Sequence, residues 1–215
     1  MLQDIHIPHS LSGRELDLYL AHGWYRMGPA IFTTQAITLN DVVYPVQWLR
    51  LNLSKFVLTS GLRKLMKRNR EFSISVRPLE ITTEMEDLYS RYYDTVDFDA
   101  SPSVTDFMLC GALEAVFDSY VVELRHHKKL IAAGIYDQGE KAIAGIMNFY
   151  EPSYARYSLG RYMMLLKALM ATEAGMQFYY PGYIAEGLSK FDYKKKLLPE
   201  ATEVYRVKEM IWVAG

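Results

Sequence analysis

An apolar stripe with helical spacing runs through the last third of the 215-residue chain. Its positions recur at intervals of three, four and seven: Leu159, Met163, Leu166, Leu169 and Met170. This period matches the 3.6-residue turn, so the stripe predicts a helix over 159–174 that packs one face against a sheet. Arg161 and Lys167 lie off the stripe. Gly175 follows the stripe and can take the left-handed conformation that ends a helix.

Apolar runs on either side of this helix predict two strands, Ala142–Tyr150 and residues 177–180. Pro152 ends the first strand, because proline cannot donate to a sheet ladder. A connection that contains a helix joins parallel strands, so we predict that the two strands are adjacent and parallel, with a right-handed crossover. Upstream, apolar runs at 120–125 and 130–136 lead into the first strand as an antiparallel meander.

The order of elements predicts the fold class and the domain organisation. It indicates an α/β (α+β) protein whose mixed sheet has an antiparallel meander, a crossover helix and helices on both faces. This order is similar to that of the GNAT acyltransferases. We expect one domain over 1–215, in which 1–80 can form an N-terminal subdomain packed on a core of 81–215.

Composition and charge exclude several classes of protein. Half of the residues are apolar, 23% are charged and the net charge is −1, so no overall basic field attracts DNA. No apolar run approaches the ~20 residues that span a bilayer, and the first residues lack a signal-type block, so we expect a cytoplasmic protein without a membrane partner. The single cysteine, Cys110, excludes a disulfide framework and is expected to be a buried small hydrophobe. Three tyrosines are likewise expected in the core: Tyr89, Tyr92 and Tyr93.

Several short motifs carry a resemblance to a known family. They are Phe149-Tyr150-Glu151-Pro152, Ser158-Leu159-Gly160, Gly182-Tyr183, Lys190-Phe191-Asp192-Tyr193-Lys194 and Pro199-Glu200. Together they resemble the C-terminal half of the arginyl-tRNA–protein transferases, acyltransferase-fold enzymes that move an amino acid from a charged tRNA to the N-terminus of a protein. Segments 20–26 and 63–69 are also similar to that family. The cysteine cluster of its eukaryotic members has no counterpart in residues 1–40.

The resemblance implies aminoacyl transfer from charged tRNA to the N-terminal α-amine of a protein, of the N-degron type. The implied partners are an aminoacyl-tRNA and a protein or peptide N-terminus, and neither a cofactor nor a metal is expected. The aminoacyl ester is already activated, so the enzyme mainly brings the ester and the amine together. An α-amine has a pKa of about 8, so a modest base suffices to deprotonate it.

Residues near the end of the chain have types that suit this reaction. Glu186 or Asp192 can act as the base, and Tyr193 joins them as a catalytic candidate. Lys190 and Lys194 can bind a phosphate-bearing donor. A further tyrosine, at position 183, can stack on the base of the donor or orient its ester. The chain is predicted to turn at Pro181-Gly182 and to leave the sheet as a loop that carries these side chains.

Two other segments are candidate anion-binding elements. Ser158 is a predicted N-cap, and with Gly160 it marks a helix start whose free N–H groups suit an anion. In the predicted basic helix that follows residue 59, Arg63, Lys67 and Arg70 are spaced by four and three and can meet tRNA phosphates. A merely solvated surface is the alternative interpretation of this helix.

Two other functions remain open. A GNAT-type N-acyltransferase would take acyl-CoA as the donor, and splayed strands with a tunnel beside Tyr150 and Phe178 would favour it. The glycine-rich pyrophosphate loop of such enzymes corresponds here to Arg156-Tyr157-Ser158-Leu159-Gly160, which has one glycine. The third hypothesis is a non-catalytic module that binds peptides or RNA. An intact segment 190–194 without a nearby carboxylate would favour this hypothesis.

Overall fold

The computed structural model describes residues 2–39, 41–96, 100–188 and 193–215. The helices are α1 (Gly13–Ala21), α2 (Ser60–Arg68), α3 (Thr83–Tyr93), α4 (Val104–Leu109), α5 (Leu159–Glu173) and α6 (Tyr193–Lys196). The strands are β1 (Leu2–His6), β2 (Tyr25–Met27), β3 (Ala30–Thr34), β4 (Ala36–Leu39), β5 (Val42–Asn52), β6 (Ser73–Pro78), β7 (Ser119–His126), β8 (Lys129–Gln138), β9 (Ala142–Tyr150), β10 (Phe178–Ala185), β11 (Thr202–Arg206) and β12 (Ile211–Ala214). None of these helices is long and apolar enough to cross a membrane.

The strands form one large mixed sheet and one small antiparallel sheet. The large sheet has the order β12-β11-β5-β10-β9-β8-β7-β6, with β4 paired to β5, and the small sheet has the order β1-β3-β2. β5 comes from the predicted N-terminal subdomain, yet it lies between β10 and β11 of the large sheet. The division of the chain at residue 80 stays a prediction.

The predicted centre of the sheet is confirmed. β9 and β10 are parallel neighbours, with residues 178–180 opposite 142–144, and α5 joins them. β7, β8 and β9 form the predicted antiparallel meander. The mixed α/β fold class is therefore confirmed.

Helices cover both faces of the meander. Successive side chains of a strand point to opposite faces, and in β7 Val122 and Leu124 pack in one cluster with α5 and α2. Val121 packs in a second cluster with α3 and α4. A third cluster joins α1 to the small sheet and to Trp48 of β5. The helices of the described part of the chain thus hold the sheet between them.

Three local predictions are wrong. β10 does not end in a turn at Pro181-Gly182 but continues to Ala185, because β5 supplies a ladder partner for this part of the strand. Lys167, which lies off the apolar stripe, is fully buried, because α5 buries almost its whole circumference rather than one face. Cys110 is exposed, because it occupies the left-handed turn that ends α4, with φ at +47°.

Candidate active site between the parting strands

β9 and β10 separate soon after they pair. Their ladder ends at Tyr180 opposite Ala144, although β9 runs on to Tyr150 and β10 to Ala185. At the same point the pairing of β10 with β5 shifts register between Tyr179 and Gly182, which defines a bulge. Pro181 supplies no N–H to a ladder and Gly182 has φ at +89°, a conformation that favours glycine. The bulge bends β10 away and opens a cleft at the carboxyl ends of the two strands.

A tyrosine from the small sheet bridges the strands where they part. The hydroxyl of Tyr25 lies within hydrogen-bond distance of the carbonyl oxygen of Gly145 in β9 and, at 3.1 Å, of that of Tyr180 in β10. Burial raises the pKa of Tyr25 well above its ordinary value, so the hydroxyl stays protonated and able to donate. This contact fixes the closed end of the cleft.

The cleft has two lobes that meet at Gly145, Pro181 and Lys194. The α5 lobe, of about 330 Å³, has a mixed lining. Its aromatic and apolar side chains are Tyr89, Tyr92, Phe107, Ile146, Met147, Met164, Tyr179 and Tyr193, and its polar ones include Ser101, Asn148 and Lys194. The β2 lobe, of about 360 Å³, lies under the small sheet and is lined by residues that include Tyr25, Met27, Phe32, Asp106, Cys110 and Tyr183. Two groups, one in each lobe, can therefore approach Lys194.

Lys194 is the cation at the junction of the lobes. Its ammonium donates to the carbonyl oxygen of Tyr183 at 2.9 Å and lies 5.9 Å from the centre of the Tyr183 ring. Burial lowers the pKa of Lys194 to about 8. Partial burial, and then the neighbouring Tyr150, raise the pKa of Tyr193, so its hydroxyl remains a proton donor at neutral pH.

A buried ion pair supports the wall of the β2 lobe. Arg26 donates to Asp137 at 2.8 Å, and both side chains are almost fully buried. The same guanidinium donates to the carbonyl oxygens of Gly28 and Met108 and to the Ser119 hydroxyl. Because these contacts occupy its donors, Arg26 holds β2 against α4 and the meander instead of offering a free charge to a ligand.

A second lysine lies beneath the cleft. The ammonium of Lys167 is fully buried and donates to the carbonyl oxygen of Ile135 at 3.1 Å. Burial lowers the pKa of Lys167 to about 7; the charge of Lys194 lowers it further, and Asp137 opposes the shift. Neighbouring Asn148 lines the α5 lobe. Both side chains escaped the sequence prediction, because a lysine in a helix and an asparagine in a strand usually signal exposed positions.

The structure brings together three of the predicted site residues. Tyr183, Tyr193 and Lys194 all line the cleft. Glu186 is an exposed residue directly after β10, and its carboxylate accepts a hydrogen bond from Gln47. Lys190 and Asp192 lie outside the described residues. Tyr89 and Tyr92, expected only as core, also line the α5 lobe.

The predicted anion-binding elements lie beside the start of α5. Ser158 is the N-cap residue of α5, as predicted, but with φ at +56° its side chain makes no capping hydrogen bond. Its hydroxyl instead accepts a hydrogen bond from Arg68 of α2 at 3.4 Å. Gly160 lies in the first turn of α5. Arg63 and Lys67 are exposed on α2, as predicted. Arg70 is also exposed, but its predicted place in the helix is wrong, because α2 ends at Arg68 with Asn69 as its C-cap.

The fold and the cleft define the class of protein: an α/β domain whose cleft opens where parallel strands part at their carboxyl ends, the place where such sheets commonly bind ligands. The chain belongs to the arginine-tRNA-protein transferase family, since the model of that family's C terminus matches residues 84–203. It is accordingly an enzyme of the aminoacyltransferase class. The match includes both parting strands, α5 and Lys194.

Curated relatives are aspartate/glutamate leucyltransferases. The protein of that name from Leptospira interrogans serovar copenhageni is 27% identical over 203 residues, which cover 92% of this chain and 77% of the relative. The one from Pseudoalteromonas atlantica is 24% identical, over 85% of this chain and 78% of its own length. The one from Pseudomonas syringae pv. tomato is 29% identical, over 70% of this chain and 65% of its own length.

Solved structures show weaker likeness. The C-terminal domain of a lysylphosphatidylglycerol synthetase from Agrobacterium fabrum aligns with a TM-score of 0.48 and 15% identity, over 65% of this chain and 46% of that one. A tandem GNAT protein from the clavulanic acid biosynthesis pathway aligns with a TM-score of 0.47 and 11% identity, over 92% of this chain and 58% of that one. At these scores neither likeness bears on the activity.

Proposed function

We propose that the protein transfers an apolar amino acid such as leucine from its charged tRNA to the N-terminal α-amine of a protein that begins with aspartate or glutamate. The observation that carries this proposal is that the described lining of the α5 lobe contains a lysine and no carboxylate. The names of the curated relatives, aspartate/glutamate leucyltransferases, support the choice of both substrates.

The lining of the α5 lobe favours an apolar aminoacyl group over an arginyl group. Its described residues include aromatic rings and the methionines Met147 and Met164, and they include no carboxylate. A guanidinium buried there would lack the paired anion that a buried charge requires. It would also face the ammonium of Lys194. A leucyl side chain would bury its apolar surface in the lobe at no such cost.

The β2 lobe would then receive the acceptor. Lys194 is a cation that can pair with the side-chain carboxylate of an N-terminal aspartate or glutamate. Asp106 is a carboxylate in the described lining of this lobe, and it can pair with the α-ammonium. Each of the two charges on the first residue of the acceptor thus pairs with a charge of opposite sign in the cleft.

The reaction needs positioning more than activation. The α-ammonium first loses a proton to a carboxylate or to water, and its nitrogen then attacks the ester carbonyl carbon. The new C–N bond forms first, and the nitrogen then loses its second proton to a carboxylate or to water. The bond to the ribose oxygen breaks next, and that oxygen takes up a proton. Tyr193, whose hydroxyl stays protonated, can donate this proton. Glu186 and Asp192 as alternative bases, and Lys190 as a second donor-binding cation, stay predictions.

The tRNA would approach over α2 and the start of α5. Arg63, Lys67 and Arg70 supply exposed positive charge there. Ser158 and Gly160 belong to the N-terminal end of α5, which follows the end of β9 in the chain. The donor would thus enter the cleft from the side of the α5 lobe.

The parting strands also bear on the acyl-CoA alternative, because they provide the splayed pair which that reaction would use. The space, however, lies beside Gly145 and Pro181. Phe178 lies at the paired end of β10 and lines a different cavity, next to α1. We therefore keep acyl-CoA as a competing donor in the test.

The test is a transfer assay with mixed donors. The protein is incubated with a mixture of charged tRNAs, with acetyl-CoA, and with peptides that differ only in their first residue, and the products are identified by mass spectrometry. We expect leucine or a similar apolar residue on peptides that begin with aspartate or glutamate. Arginine on those peptides, or acetylated products alone, would contradict the proposal.

A pair of lysine variants tests the cleft itself. Lys194→Met keeps the side-chain length and removes the charge, so transfer should fall by about a hundredfold or more. Lys128→Met changes an exposed lysine in the β7–β8 turn and should leave transfer unchanged. Equal activity of both variants would show that the cleft is not the site.

A further inference from the structure

Asn148 and Lys167 form a polar cluster under the floor of the α5 lobe, among side chains that are otherwise mostly apolar. Gly134 of β8 is opposite Asn148 of β9 in the ladder. A Cβ atom at Gly134 would lie 2.7 Å from the Asn148 Oδ1 atom and 3.5 Å from the Lys167 Nζ atom. The missing side chain therefore makes room for a carboxamide oxygen and an ammonium over the same glycine.

Lys167 is costly as a structural residue. Its amine is fully buried, and the carbonyl oxygen of Ile135 is its hydrogen-bond acceptor among the described residues. An ammonium can donate three hydrogen bonds, and a methionine of similar length would fill the same space without desolvating a charge. Packing therefore does not explain a lysine at this position.

Asn148 connects this cluster to the cleft. Its side chain lines the α5 lobe, but its Oδ1 atom is buried and has no hydrogen-bond partner in the described part of the chain. The Nδ2 atom is not among the buried, unpartnered atoms there. The carboxamide thus turns its oxygen inward, toward the positive end of Lys167, and leaves its two N–H donors at the cleft surface.

We infer that Asn148 is a catalytic residue which donates a hydrogen bond to the ester carbonyl oxygen as negative charge develops on it, and that Lys167 is a positioning residue which holds the carboxamide in this orientation. The inference rests on the proposed function. A carboxamide can flip with little change of shape, and the two orientations present opposite dipoles to the cleft. The buried cation selects the orientation with the oxygen inward, so the N–H groups are preorganised for the oxyanion. Formation of the C–N bond places that charge on the carbonyl oxygen, and loss of the ribose oxygen removes it.

The test is a double-mutant cycle in the leucyl transfer assay. Asn148→Ala should lower kcat by about a hundredfold and change the KM for charged tRNA by less than about threefold. Lys167→Met should lower kcat by about tenfold, with KM again unchanged, and the double variant should match Asn148→Ala alone. Glu173→Gln, an exposed change at the other end of the same helix, is the control and should leave kcat within about twofold.

Each other result has a defined meaning. Multiplicative losses in the double variant would overturn the role of Lys167, because it would then act independently of Asn148. A normal kcat in Asn148→Ala would overturn the whole inference. If the wild-type protein transfers no amino acid from any charged tRNA, the proposed function fails first, and the inference fails with it. Thermal unfolding of each variant identifies losses that come from unfolded protein.

Discussion

The hydroxyl of Tyr25 lies 3.1 Å from the carbonyl oxygen of Tyr180, at the last residue that β10 pairs with β9. The same hydroxyl contacts the carbonyl oxygen of Gly145, the first β9 residue past the ladder. One side chain from the small sheet thus serves both strands at the point where the cleft opens. The width of the closed end of the cleft depends on this contact.

Tyr25→Phe should therefore destabilise the protein and impair transfer together. The variant keeps the ring but removes the donor that faces two buried carbonyl oxygens, which should cost about 1 to 3 kcal/mol of unfolding free energy. Urea denaturation measures this loss, and the transfer assay measures the second effect. Tyr120→Phe is a matched control, since the described residues offer its hydroxyl no hydrogen bond. A Tyr25→Phe protein as stable as wild type would refute the bridge.

Asp137→Asn should be far more destabilising than loss of an exposed carboxylate. The change leaves the buried guanidinium of Arg26 without its anion, which typically costs about 3 to 5 kcal/mol. Glu209→Gln breaks the exposed pair with Arg206 and should change the unfolding free energy by less than about 0.5 kcal/mol. Chemical denaturation of both variants gives the comparison. Similar small losses would mean that Arg26 is held by its carbonyl acceptors alone.

Replacement of Arg63, Lys67 and Arg70 by alanine should flatten the salt dependence of tRNA binding. Each phosphate contact contributes about 0.7 to 0.9 to the slope of log affinity against log salt, so loss of three contacts should reduce the slope by about two to three. Filter binding over a range of salt concentrations measures it. A control variant changes three exposed basic residues outside α2: Arg14, Lys128 and Lys208. If both triple variants behave alike, α2 is only a solvated surface.

The stability of the protein should rise with pH above neutrality. The pKa of Lys167 falls from 10.5 to about 7 on folding, chiefly through burial and then through Lys194, with Asp137 opposing the shift. Between these pH values the unfolded chain binds more protons than the folded chain, so the free energy of unfolding increases with pH. Lys167→Met should stabilise the protein at pH 7 by on the order of 1 to 4 kcal/mol and reduce this pH dependence. Lys194, whose pKa is also lowered, to about 8, should preserve part of the pH dependence in this variant. An unchanged pH profile of unfolding in Lys167→Met would contradict the lowered pKa of the buried Lys167 side chain.

Strong periodicity made the centre of the fold predictable. The stripe from Leu159 to Met170 and the apolar run of β9 define α5 and the parallel pair without knowledge of any distant contact. The extension of β10 past Pro181 depends on β5, which lies more than a hundred residues earlier, so a local turn signal was misleading there. Lys194 was found through its motif. Tyr25, Asn148 and Lys167 were not assigned to the site, since each acquires its role only from neighbours that folding brings together.

The central position of β5 has a consequence for how the chain folds during synthesis. β5 is complete once residue 52 has been made, and its first residues, 42–45, can pair at once with β4. The partners of its second half, β10 and β11, begin only at Phe178 and Thr202. Until then its apolar side chains, such as Leu49 and Leu51, have no sheet to enter. Contacts so distant along the chain form slowly, and unpaired strands invite aggregation. A nascent chain released before β10 has been synthesised would expose this strand, so that premature termination yields an aggregating fragment instead of a smaller folded protein.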